Sequence, residues 1–302
     1  MELLDLLREA HRYGASEVHL QVGQGPTRVV AGELQVQPGP RLTLEAWSAL
    51  LRQAVAWGLN LERAGEGKLG VPGVGPCRSW LLPGQSFSLL LPLPASELNL
   101  EKLHLPEVLA ELAGLPQGLV LLAGPRRSGL STTLAAMVEG IRSGPGRSLA
   151  CLGPDQPYAV IPASGLVWQV ETDPWLPLVA QAQSWCDVLT LPLVDAETAE
   201  AALQTAESGL LVLAEMRAQN APNALDRLHG WLPRSSRRLL EQLRGVYAQQ
   251  LIPRAEGRVP ISEFLPEPVL RSFLGVERKP YPECMARVKG GWSFEESLRD
   301  WG

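Results

Sequence analysis

The chain has no long apolar run, no paired cysteines and no large excess of one charge. Across its 302 residues no stretch approaches the ~18 apolar residues of a membrane span. Direct membrane insertion is therefore not expected, and any membrane role would run through partners. The four cysteines, Cys77, Cys151, Cys186 and Cys284, include no C-x-x-C pair. That argues against a zinc site or redox motif and leaves them as small reduced hydrophobes of a cytoplasmic protein. The formal net charge of −5 gives no support to general nucleic-acid binding. There is no internal repeat and no low-complexity segment. The opening MELLDLLREAHRYG is acidic and amphipathic, unlike a secretory leader.

What is present is ordinary globular material, 45% hydrophobic and 20% charged, long enough for two domains with separate cores. The first part reads as a small α+β domain. Leu3, Leu4, Leu7 and Ala10 share a helix face that stops near Gly14. Val18, Leu20 and Val22 alternate with polar neighbours as in a half-buried strand. Thr27–Gln37 reads as a hairpin turning near Gly32, and Leu44–Ala56 as a helix. The glycine-rich stretch Gly65–Gly75 leads to strands at Arg78–Leu82 and Phe87–Leu91. A proline-rich linker follows. The expected division is 1–94, a linker over 95–105, and 106–302. In the last part strands alternate with helices, the pattern of a mostly parallel sheet. The expected strands are Leu119–Ala123, Ser148–Leu152, Val167–Val170, Val188–Leu191 and Leu210–Ala214. Arg237–Leu251 is read as one helix with Leu239, Leu240, Leu243, Val246 and Tyr247 facing inward.

The segment GLVLLAGPRRSGLSTTLAAM, Gly118–Met137, carries the chemistry. Gly124, Gly129 and Ser131 hold the spacing of a P-loop, G-x-x-x-x-G-K-[ST], between an apolar strand and a helix marked by Leu134, Met137, Val138 and Ile141. The candidate phosphate-binding residues are Gly124, Pro125, Arg126, Arg127, Ser128, Gly129, Leu130, Ser131 and Thr132. Such a loop turns backbone N–H groups and a helix N-terminus toward an anion; the plainer alternative is a tight turn that never bound phosphate. Leu130 stands where the pattern requires lysine. A charged hydrogen bond is worth ~1.5–3 kcal/mol, so its loss weakens nucleotide binding by roughly 10- to 200-fold. The rate suffers more, because charge grows on the transferring phosphoryl group. Arg126 and Arg127 sit in the loop and are expected to point outward.

These motifs, taken together, resemble the PilT-like retraction ATPases of the type II and type IV secretion ATPases. GASEVHL (Gly14–Leu20) is similar to the family's GASDLHL. The P-loop segment, LRGVYAQQLIPR (Leu243–Arg254) and GRVPISEFL follow in the family's order. The resemblance implies an N-terminal PAS-like α+β domain joined to a C-terminal RecA-like P-loop domain, assembly as a hexameric ring, and work at the base of a type IV pilus.

The departures from the family cluster at its chemical positions. Gly153 and Pro154 replace an acidic pair, and Asp155 is read as a turn acid. Pro192 and Leu193 occupy the place of the family's water-positioning glutamate, Asp195 is read as a helix cap and Glu197 as solvated. Leu210 and Arg217 stand at two histidine positions, and arginines expected before Asp187 are absent. Because the family has glycine at the place of Arg127, the loop is expected to have relaxed into another shape. Trp292 and Trp301 are the expected partner-facing aromatics. The tail PVLRSFLGVERK departs from the family's retraction segment. The leading expectation is a noncatalytic pseudo-ATPase with a regulatory or structural role in pilus retraction and twitching motility. No catalytic residue, metal site or cofactor is expected, apart from weak ATP or ADP with magnesium. Its partners would be PilT-family ATPase subunits or the inner-membrane platform protein, with oligomerisation open. Two alternatives stand beside it: a divergent active motor using Arg126 or Arg127 on phosphate and Asp155 or Asp187 on magnesium, and a sensor that binds nucleotide without hydrolysis.

Overall fold

The computed structural model describes residues 2–30, 32–37, 40–59, 65–82, 85–91, 98–144, 146–153, 167–170, 174–254, 257–274 and 291–299. Pro154, Asp155, Cys284, Trp301, residues 92–97 of the proline-rich stretch and the GVERK end of the tail lie outside them. The chain divides into two compact units, the first made of Met1–Glu97 with Pro157–Ala159 and Pro253–Arg258, the second of Leu98–Gln156, Val160–Ile252 and Val259–Gly302.

The first unit is a six-stranded antiparallel sheet with two helices. Helix α1 (Leu3–Arg12) buries Leu3, Leu6, Leu7 and Ala10. Its stripe packs with Val18 and Leu20 of β1 (Ala15–Gln21) and with Phe87 and Leu89 of β6 (Ser86–Leu90). Gly14, at φ +69°, takes the left-handed turn that separates α1 from β1, a conformation open to glycine at little cost. The hairpin of β2 (Thr27–Val30) and β3 (Glu33–Val36) forms as expected. Helix α2 (Leu44–Ala56) starts on Thr43, whose hydroxyl accepts from Ala46 N at 3.2 Å. The glycine-rich stretch is itself a strand, β4 (Gly65–Val71), paired residue for residue with β5 (Gly75–Leu82). Its glycines hid the alternation, yet Leu69 and Val71 are buried, and Gly67 lets the backbone lie close to Ser79.

The second unit is a seven-stranded sheet in the order β13-β12-β7-β11-β10-β8-β9. Its strands are β7 (Gly118–Gly124), β8 (Leu149–Leu152), β9 (Val167–Val170), β10 (Val188–Leu193), β11 (Leu211–Arg217), β12 (Leu243–Arg254) and β13 (Gly257–Pro266). Strands β12, β7, β11, β10, β8 and β9 run parallel to one another in that order. The central β7 is buried at all seven positions, as a strand covered on both faces must be. Leu119, Leu121 and Ala123 point to one face, which is covered by α5 (Val179–Gln183), α6 (Ala196–Glu207), α7 (Ala221–Trp231), α8 (Ser236–Gln242) and α9 (Glu267–Leu274). Val120 and Leu122 point to the other, under α3 (Val108–Ala113) and α4 (Leu130–Ser143). Among the described residues no helix is long and apolar enough to cross a membrane.

Two sequence expectations are corrected here. The single helix over Arg237–Leu251 is instead a short helix, α8, followed by β12. The apolar spacing fits a helix only to Leu243. Beyond it, Val246 and Ala248 face one layer and Tyr247 the other, the two-residue alternation of a strand. The open edge of β7 supplies the backbone partner. Trp292, expected to face a partner, is held within the chain. Its ring lies 5.3 Å from that of Phe264, its Nε1 donates to Ser262 Oγ at 3.1 Å, and its backbone bridges Phe264, just before α10 (Phe294–Arg299).

Two substitutions check this architecture. A Cβ on Gly245 would meet the Phe264 ring at 2.7 Å, so Gly245→Ala should destabilise by about 1–3 kcal/mol in chemical denaturation. In a helix the same change would stabilise by up to ~1 kcal/mol, so the sign separates the two assignments. Asp195 caps α6: its Oδ1 accepts from Thr198 N at 2.9 Å and the Thr198 hydroxyl reaches back. Asp195→Ala should cost about 1 kcal/mol and lower Tm by about 2–4 °C.

Candidate functional site

The site is built where β7 ends and α4 begins. Gly124 closes the strand beneath the loop. A Cβ there would overlap Ser128 Oγ and come within 2.8 Å of the Gln249 carbonyl. Two left-handed residues then shape the turn, Arg127 at φ +63° and Gly129 at φ +79°. The expectation of a relaxed loop is therefore wrong: Arg127 adopts the conformation that glycine would take, at a cost of order 1–2 kcal/mol. Something must hold it there.

That restraint comes from β12. Gln249, only 2% exposed, donates through Nε2 to the carbonyl of Ser128 at 2.8 Å. Its Oε1 accepts from Thr133 Oγ1 of α4 at 2.8 Å and from the Tyr247 hydroxyl at 3.1 Å. Burial pushes the Tyr247 hydroxyl's pKa up, so it remains a donor. One amide thus ties loop, helix and neighbouring strand together inside the core. Sequence reasoning missed Gln249, having assigned its segment to a helix. The Tyr-x-Gln alternation on a strand was the available signal.

Leu130, the first residue of α4, is 5% exposed and belongs to the apolar cluster with Met137, Val138 and Tyr247. Its side chain offers no donor at the lysine position. Ser131 follows, with its hydroxyl 3.4 Å from both carboxylate oxygens of Glu215 on β11. The distance is long for a hydrogen bond, but it puts an acid beside the hydroxyl that a P-loop gives to magnesium. Ser128 Oγ is buried without a hydrogen-bond partner among the described residues. Arg126 and Arg127 are exposed, as expected, and Pro125 is half-buried.

The other positions that chemistry would need are apolar or elsewhere. Pro192 and Leu193 end β10 beside Glu215 and Met216, and Leu193 is buried. Glu197 is exposed on α6. Asp187, the magnesium ligand of the active-motor alternative, stands before β10 at the opposite edge of the sheet, where its Oδ2 accepts from Ser148 N at 2.8 Å. Six strand residues separate that edge from the loop, so Asp187 does not serve it. Burial pushes the Cys77 and Cys151 thiols up to about 12 and Cys186, also beside the Asp187 charge, to about 11. None is a nucleophile near neutral pH. The loop amides and the N-terminus of α4 fit a phosphate group. Among the described residues, the place of the P-loop lysine is taken by Leu130 and the end of β10 carries Pro192 and Leu193 where a hydrolysing magnesium–triphosphate centre uses a cation and an acid.

No protein-family model matches the chain. It is 35% identical to the uncharacterized protein YggR of Escherichia coli (strain K12), over 60% of this chain and 59% of that protein, so this match spans about six-tenths of its relative's length. It is 26% identical to the type IV pilus retraction ATPase PilT of Pseudomonas aeruginosa over 91% of this chain and 85% of that one. Among solved structures it is similar to the pilus retraction motor PilT with bound ADP, with a TM-score of 0.75 at 25% identity over 99% of this chain and 96% of that chain. With a P-loop strand, loop and helix in that same fold, these similarities support a PilT-like member of the type II/IV secretion ATPase superfamily.

Proposed function

We propose that this protein is a noncatalytic subunit of the pilus-retraction machinery, regulatory or structural in role, acting in twitching motility. It would work in the cytoplasm at the inner-membrane base of a type IV pilus. Its partners would be PilT-family ATPase subunits or the platform protein. The observation that carries this reading is Leu130, buried in an apolar cluster at the head of α4 while the loop around it keeps its turn. Gln249 supports it further, because the loop is braced from inside the protein and needs no nucleotide to hold its shape. Catalysis would need charge neutralisation and a positioned water. Neither Leu130 nor Pro192 and Leu193 supplies them.

A second reading rests on one contact. Glu215 beside Ser131 gives the loop an acid that the family pattern does not predict. On this reading the protein binds nucleotide weakly, as a sensor, without turning it over.

Calorimetry with ATP and ADP in magnesium, followed by a phosphate-release assay, tests both. The noncatalytic reading expects no turnover above background, and steady ATP hydrolysis by the purified chain sinks it. Micromolar binding without turnover favours the sensor. Leu130→Lys should raise nucleotide affinity by roughly 10- to 200-fold and still leave turnover at background. Gln249→Leu should destabilise by at least about 2 kcal/mol, since it strands buried partners at Thr133, Tyr247 and Ser128. Nucleotide should not restore that loss if the loop is braced only from within.

A further inference from the structure

Beside the loop lies a cleft of about 510 Å³ whose walls carry Arg126, Arg217 and Arg227. The three arginines come from separate segments: the turn after β7, the end of β11 and the middle of α7. Arg217 pairs in register with Gly124, and Ala218 N donates to the Gly124 carbonyl at 3.2 Å, so the end of β11 is fixed to the loop. Helix α7 is equally anchored. Asn220 caps it, and the buried carboxylate of Glu263 accepts from Ala221 N at 2.8 Å. Arg227 donates through Nη1 to the Arg217 carbonyl at 2.9 Å and lies 4.8 Å over the Trp231 ring. Its guanidinium is thus held in place before any ligand arrives, which lowers the cost of binding.

Among the described residues none of the three arginines forms an ion pair, and no carboxylate lines the cleft. Three like charges are gathered in a protein whose net charge is −5. Asn223 and Gln219 add amide groups to the same wall. The volume falls in the range of small-molecule sites, and guanidinium forks match phosphate oxygens bidentately. A flat apolar surface for a protein partner is missing, since only Pro125 and Ala218 contribute carbon-rich wall.

We propose that this arginine cleft, which shares Pro125 and Arg126 with the loop but not Gly129, Ser131 or Thr132, binds a small polyphosphate anion. The ligand class is pyrophosphate, tripolyphosphate or the phosphate tail of a nucleotide. The free ion and the nucleotide tail share the recognising chemistry. The site does not depend on catalysis: an active chain would overturn the proposed function and leave this site untouched.

The test is calorimetry on the full chain with tripolyphosphate, pyrophosphate, ATP and adenosine, at low and physiological salt. Tripolyphosphate should bind one to one and weaken as salt rises. Arg217→Gln and Arg227→Gln should each weaken it by roughly fivefold or more, and Arg227→Lys by less, since it keeps charge but loses the fork. Ser131→Ala, which alters the cradle, should change it by no more than about twofold. Thermal denaturation of each variant checks that it folds; if Arg227→Gln does not, Arg217→Gln carries the comparison. ATP binding as well as tripolyphosphate, with adenosine silent, means that the phosphates alone are read. ATP binding far more tightly means that the tail of a nucleotide is the ligand. No heat with any polyanion at low salt overturns the proposal. So does a loss in Ser131→Ala equal to that in Arg217→Gln, or displacement of tripolyphosphate by an acidic peptide at lower concentration than by ATP.

Discussion

The side-chain amide of Gln249 is the contact on which the site depends. A P-loop bends its backbone so that several N–H groups face outward, and such a turn is stable only if its own carbonyls and neighbouring hydroxyls find partners. Gln249 meets that need from the next strand, with Nε2 on the Ser128 carbonyl and Oε1 under Thr133 and Tyr247. With an amide at this depth, an unmade bond would cost ~1–3 kcal/mol. The clamp therefore also offsets the left-handed strain of Arg127. Because β12 lies directly beside β7, the brace is part of the sheet and not of any ligand.

Shape and charge are separable in such a loop. Turn geometry is set by Gly124, Gly129 and the clamp, all of which are present. Charge is set by the side chain at position 130, and there a leucine joins the apolar cluster under α4. The same separation holds across the sheet. β10 keeps its place and register beside β11, but its end carries Pro192 and Leu193. Polar groups recur nearby in new positions: Glu215 beside Ser131, and three arginines around the adjoining cleft. The strand, loop and helix of a P-loop thus stand here with a leucine at position 130 and with polar groups set around the turn.

Several features were legible in the residues. Strand β7, the loop and α4 are consecutive in the chain, so their signals are local: an apolar run, a glycine spacing and a 3.6-residue stripe. The cap at Asp195 and the exposure of Arg126 and Arg127 were legible for the same reason. The misreadings share a different cause. Leu239 to Tyr247 has helical spacing, and only the vacant edge of β7 makes its second half a strand. Trp292 looked free in a polar stretch because its partners, Phe264 and Ser262, are about thirty residues away. Arg127 looked incompatible with the turn because its restraint is remote.

By itself, the sequence determined that a phosphate-type loop stands between a buried strand and a helix, and that the lysine which would neutralise a triphosphate is a leucine. Those are statements about residue identity and short-range spacing. Whether the loop kept its form was decided only by the tertiary structure. The amide that holds it comes from 121 residues further along the chain, and the arginines beside it converge from three segments that only the folded sheet brings together. Local chemistry can be read residue by residue. A hydrogen bond or a cluster of charge between distant segments exists only once folding has paid the entropy of bringing them side by side.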